Sequence, residues 1–125
     1  MWYDFFEENT FARSLSADNV SELQGFLINL YLDLCNDHIK MQVQTKSFLV
    51  SPPKKWGGRG EYSLLIVLDF YNIYEFRVDK IKNGECFFDF KLQDSLLCVN
   101  LYGATNLQFL CECGVIQSIK CVSDV

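Results

Sequence analysis

Six cysteines, one histidine and one short cationic stretch are the residues of this chain best equipped for chemistry. The thiols are Cys35, Cys86, Cys98, Cys111, Cys113 and Cys121, and Cys111-Glu112-Cys113 with Cys121 is the most metal-like grouping. Zinc sites favour turn spacings such as C-x-x-C. Two residues apart in a strand means roughly 7 Å between α-carbons, too splayed to chelate or to bridge. A catalytic thiol needs a base, and only His38 is available, in a hairpin turn beside Asp37 where a histidine is usually just solvated. The paired carboxylates Glu7-Glu8 have nothing to set them across a cleft, and no nucleophile elbow, Walker loop or dinucleotide fingerprint occurs. The sequence therefore predicts a protein that is not an enzyme and uses neither metal nor cofactor.

The cationic stretch is Ser51-Pro52-Pro53-Lys54-Lys55-Trp56-Gly57-Gly58-Arg59-Gly60, the one long break among strand-like segments. Two prolines remove backbone donors, and three glycines permit angles that other residues avoid. Three cations around Trp56 resemble a small phosphate or stacking patch. In an acidic chain they read more simply as a loop pinned by Trp56, with its lysines in water.

The elements that must position these residues follow from periodicity. Residues 2–15 suggest one or two short helical pieces, and residues 16–19 a loop. From Phe26 to Cys35 the sequence alternates, with Phe26, Ile28, Leu30, Leu32 and Leu34 as the expected core face. A turn at residues 36–38 leads into a second strand with one wet face, making a hairpin. Residues 62–70 read as a strand buried on both faces, followed by a turn at Tyr71-Asn72. Tyr74, Phe76 and Val78 then face inward. Asn83-Gly84 is a strong hairpin signal, Gln93-Asp94-Ser95 is a turn, and Gly114 separates the last two strands. Eight strands with short turns predict one mainly β domain over residues 1–125. It would be an antiparallel sandwich or rolled, barrel-like sheet with a short N-terminal helical segment.

Half of the 125 residues are hydrophobic and eleven are Phe, ample material for a core. Sixteen acids against eleven cations give a formal net charge of −5. That balance disfavours nucleic acid as a partner and suits a basic protein. The opening Met1-Trp2-Tyr3-Asp4-Phe5-Phe6-Glu7-Glu8 lacks the basic and apolar regions of a signal peptide. The expectation is a cytoplasmic protein with reduced thiols, most of them in the core. The longest apolar run, Leu64–Leu68, is too short to span a membrane.

Pro52-Pro53-Lys54-Lys55-Trp56, a glycine-containing spacer, a strand ending Leu68-Asp69-Phe70 and then Ile73 together resemble the polymorphic-toxin immunity family numbered fifty. The Trp2-Tyr3-Asp4-Phe5-Phe6 opening is similar to the same group. The resemblance implies a small cytosolic antitoxin that binds a cognate secreted toxin domain and blocks its active site. The toxin would be a basic nuclease, an RNase before a DNase, of the kind used in contact-dependent growth inhibition.

Affinity in such a blocker would come from a few aromatic or apolar anchors ringed by acids. Alternation places Tyr31, Asp33, Glu75, Asp79, Asp89 and Glu112 opposite the apolar row of their strands, so these are the expected partner-binding residues. Pro52, Pro53, Lys54, Lys55 and Trp56 are assigned to structure. A different class, a β ligand-binding or scaffold domain, would show a deep apolar pocket ringed by Tyr62, Phe87 or Tyr102.

Overall fold

A computed structural model describes residues 2–7, 12, 22–48 and 61–122. The Pro52–Trp56 motif, the loop expected at residues 16–19 and the second helical piece near residue 11 lie outside the described residues. Six strands follow a 3₁₀ turn at Trp2–Phe5: β1 Leu23–Asp33, β2 His38–Phe48, β3 Glu61–Lys80, β4 Glu85–Gln93, β5 Leu96–Gly103 and β6 Asn106–Val122. They close into an antiparallel barrel in the order β1-β2-β3-β6-β5-β4. The mainly β, barrel-like expectation holds.

Six strands replace the expected eight because two breaks are not breaks. β3 runs 20 residues through Tyr71-Asn72, and β6 runs 17 through Gly114. Asn72 and Glu75 take positive φ values of 60° and 52°, which bend β3 without ending it. Its register against β6 slips by one residue between Tyr74 and Arg77, so a bulge sits there. Gly114 stays in the ladder opposite Phe70. Its missing side chain is what matters, since a Cβ there would lie 2.9 Å from the Phe6 ring.

The two long strands each serve two sheets. The first half of β3 and the end of β6 join β1 and β2. The second half of β3 and the start of β6 join β5 and β4. Between the layers lies a core led by Phe70, Phe88, Phe109, Met41, Leu68 and Leu101, all essentially inaccessible. The sheets meet again where β1 pairs β4 over four residues, Leu23↔Phe88 to Phe26↔Glu85.

Two corners of this bent barrel are left without strand pairing among the described residues. The first receives the chain's own N-terminus. Trp2, Tyr3 and Phe6 are buried, with Phe6 ring centroids 5.6 Å from Phe70 and 5.0 Å from Phe90. Glu7 then bridges Val115 in parallel, its N–H donating to the Gly114 carbonyl at 3.0 Å. Phe70 comes from one sheet and Phe90 from the other, so this aromatic plug holds both layers.

Several predicted faces are corrected. Leu23 and Gly25 point inward on β1, and a bulge between Leu27 and Asn29 flips the alternation so that Leu30 reaches the core. Phe26, Ile28, Leu32 and Leu34 are exposed instead of buried. Tyr74 and Val78 are exposed as well, while Phe76 packs inward against Phe109. Asn83-Gly84 is a corner between β3 and β4, which are not neighbours, and not a hairpin. The buried Thr105 hydroxyl fastens that corner, accepting from the Lys82 N–H at 3.2 Å and donating to its carbonyl at 3.0 Å. The tight two-residue turn is Asp94-Ser95, both at positive φ.

Candidate functional site

The second open corner is the candidate site. Beyond Phe26 nothing described pairs with β1 on its β4 side, and beyond Asn72, whose N–H donates to the Asp37 carbonyl at 2.9 Å, nothing described pairs with β3 on its β2 side. Between these two edges lies a cleft of about 150 Å³. Its apolar walls are Leu32, Leu34, Ile39, Ile73 and Phe76. Asp33, Asp37, Glu75 and His38 also line it, so among the described residues three carboxylates border it and no lysine or arginine does. Glu75 reaches the rim because its left-handed backbone forms part of the β3 bulge. Asp33 is anchored by Asn36, whose Nδ2 donates to its carboxylate at 2.8 Å. That hydrogen bond leads the causes that hold the Asp33 carboxyl below its ordinary range.

His38 was expected to be a solvated turn residue, and the structure corrects this. It begins β2, and its Nε2 lies 2.6 Å from an Asp69 carboxylate oxygen. Asp69 is only 3% exposed. The imidazole also stacks on Tyr71, with centroids 4.8 Å apart and planes 14° from parallel. β2–β3 pairing, with His38 opposite Tyr71 and Lys40 opposite Asp69, sets this geometry. The dyad fixes one end of the cleft rim. None of the described lining residues carries a hydroxyl or thiol, so the arrangement offers recognition by charge and apolar burial. One signal could have revealed the dyad: Asp69 is the sole acid in the apolar run 62–70, and a buried carboxylate needs a partner.

The structure brings some predicted partner residues together. Asp33 and Glu75 line the cleft, and Tyr31, 57% exposed, is on β1 beside it. Asp79 is exposed near the end of the same β3 edge. Glu112 is exposed on β6 and accepts from Asn72 Nδ2 and from the Tyr74 hydroxyl, both at 2.9 Å. That hydrogen bond, followed by the charge of Glu112, raises the Tyr74 phenol above its ordinary value. Asp89 stands apart. It aligns with Asn100, Gln108 and Arg77 across β4, β5, β6 and β3, three strand steps or roughly 14 Å from the β3 edge. Phe87 and Tyr102 stack on the outside of the barrel at 5.3 Å. The side chain of Tyr62 lies outside the described residues.

A larger hollow of about 420 Å³ sits by the β1–β4 closure, lined by Gln24, Gly25, Phe26, Gln44, Thr45, Ser63 and Glu85. Its polar groups largely satisfy one another. Gln44 Nε2 donates to Ser63 Oγ at 3.1 Å, and the Thr45 hydroxyl donates to the Gln24 carbonyl.

The thiols are all unbridged, and they divide by exposure. Cys86, Cys98 and Cys111 are buried, Cys113 and Cys121 half-buried, and Cys35 is exposed in the β1–β2 turn. The core expectation thus holds for three and fails for Cys35, which the turn carries off the barrel. Burial, aided by Cys113 and Cys98, pushes the Cys111 thiol from its ordinary 9.0 up to about 12. At about pH 8 iodoacetamide should modify Cys35 first and Cys111 only on unfolding, as read by intact mass. Equal labelling rates would mean the interior is open to solvent. Below pH 9 this thiol is neutral folded and unfolded. As pH climbs from 9 towards 12 only the unfolded chain releases the proton, so stability falls across that window.

No helix among the described residues is long and apolar enough to cross a membrane, and no group of three or more His, Cys, Asp or Glu among them could hold a metal ion. No family model, curated protein or solved structure matches this chain.

Proposed function

We propose that this chain is a stoichiometric binding protein of the immunity type, which docks a cationic toxin domain, a nuclease, and blocks its active site. The observation that supports this most is the open corner: an apolar cleft with three carboxylates on its rim and, among the described lining residues, no lysine or arginine. Opposite potentials speed encounter and fix orientation. A small apolar centre ringed by charge is how binding interfaces concentrate their energy. The net charge of −5 adds a long-range field of the same sign.

The test uses the C-terminal domain of a large secreted protein encoded directly upstream of this chain's gene. The two are co-expressed, and affinity is measured by titration calorimetry. Asp33→Lys with Glu75→Lys should weaken binding by about tenfold or more, which is ~1.4 kcal/mol. Asp89→Lys, away from the cleft, should leave it nearly unchanged. Raising the salt should mainly slow association. Unchanged affinity in the double variant, with the fold intact by circular dichroism, would remove the cleft from the interface.

A further inference from the structure

Exposed apolar side chains are distributed unevenly over this barrel. Among the described residues ten large hydrophobics stand exposed, and eight of them belong to β1 and its turn or to the second half of β3 and its corner: Phe26, Ile28, Tyr31, Leu32, Leu34, Tyr74, Val78 and Ile81. These are the segments that border the open corner. Scattered surface hydrophobics are ordinary, but a contiguous set marks an interaction surface.

Backbone pairing points the same way. Leu27–Asp33 is hydrogen-bonded to β2 on one side and to no described strand on the other. Edges of this kind are usually blunted by lysine, proline or a covering element. This one carries no lysine and no proline, and its only charge is Asp33. At the equivalent corner the chain's own Trp2–Glu7 segment lies in the gap and bridges β6 in parallel at Val115. The fold therefore already shows that such a gap is filled by chain that presents apolar side chains inward, there a 3₁₀ turn ending in a single bridge to β6.

We infer that the β1 edge Leu27–Asp33 takes an extended segment of the partner as an added strand. Its alternate residues would be apolar, entering the cleft over Leu32, Ile73 and Phe76, and basic, facing Asp33, Asp37 and Glu75. This rests on the reading of the cleft as a cationic-protein site and adds the mode of binding. Main-chain hydrogen bonds supply affinity, and the alternating side chains supply selectivity. A strand of about seven residues spans the open edge at ~3.3 Å per residue. The carboxylate rim commits the occupant to a basic polypeptide, since an acidic segment would meet three like charges.

The probe is a capped peptide of about eight alternating valines and lysines, tested on the full chain by fluorescence anisotropy. Amides of alternate residues point to opposite edges of a strand. Two further peptides are therefore made, one N-methylated at every valine and one at every lysine. One of these should bind within a few-fold of the parent peptide, and the other should bind at least about thirtyfold more weakly. The parent should protect the amides of Leu27–Asp33 from hydrogen exchange. Failure of the parent to bind, or equal binding by both methylated peptides, overturns strand addition. If the methylated peptides bind alike while Asp33→Lys with Glu75→Lys still weakens the protein partner, docking at the cleft stands and only the mode falls. A dimer of the free protein by sedimentation, dissolved by the peptide, would make a second copy the occupant and overturn the basic-partner assignment.

Discussion

Replacing Phe70 by alanine should destabilise the protein by about 3–5 kcal/mol, the usual cost of emptying a large aromatic site in a core. Against a total of ~5–15 kcal/mol for a domain of ordinary stability, that is a large fraction. Phe70 is inaccessible and its ring is near three others: Phe6 at 5.6 Å, Phe90 at 6.5 Å and Phe109 at 5.2 Å. These come from the N-terminal segment, β4 and β6, so the deletion loosens the plug and both sheets together. The midpoint of urea unfolding measures it. Leu92→Ala, which removes a side chain that is 69% exposed, should shift stability by no more than ~0.5 kcal/mol. Similar shifts for the two variants would mean that the aromatic cluster does not hold the layers together.

Replacing His38 by alanine should cost about 3 kcal/mol. Deleting the hydrogen-bond partner of a buried polar or charged group usually costs ~1–3 kcal/mol or somewhat more, because the desolvated group is left unsatisfied. The upper end applies here because the group left behind is a buried carboxylate, although the His38 side chain itself keeps 19% of its surface in solvent. The loss would arise mostly from Asp69, held at 3% exposure without its partner. A second substitution discriminates. Asp69→Leu in the His38→Ala background should recover part of the stability, since it removes the stranded carboxylate. If the double variant is less stable than His38→Ala alone, the Asp69 carboxylate is satisfied by something other than the imidazole.

Alternation made the strands legible, and the closed antiparallel sheet follows from them. What alternation could not show is where the count slips. One extra residue in β1 between Leu27 and Asn29 reverses every side chain after it. Phe26 and Ile28 face out where a core face was expected, whereas Leu30, after the slip, reaches the core and Leu32 and Leu34 are exposed at the open corner. Turn chemistry misled at Tyr71-Asn72 and at Gly114 for a related reason. Asn tolerates positive φ inside a bent strand, and glycine can mark a close approach by another part of the chain as well as a stop. The candidate site was legible in part. Asp33 and Glu75 were found by alternation, but their meeting at one cleft depends on two bulges and on which strands lack partners. The His38–Asp69 pair joins residues 31 positions apart, and only the β2–β3 register brings them together.

The closure of the barrel also sets how it moves. β2 and β3 are joined along eleven residue pairs, from His38↔Tyr71 to Phe48↔Glu61, whereas β1 and β4 meet over four. Thermal breathing should concentrate at that short zipper, because local opening follows the places with least pairing to undo. Since β1 also carries the open edge, a partner strand laid along it would clamp the strand of the described barrel whose closure has least pairing to undo, and capture and rigidification would be one event.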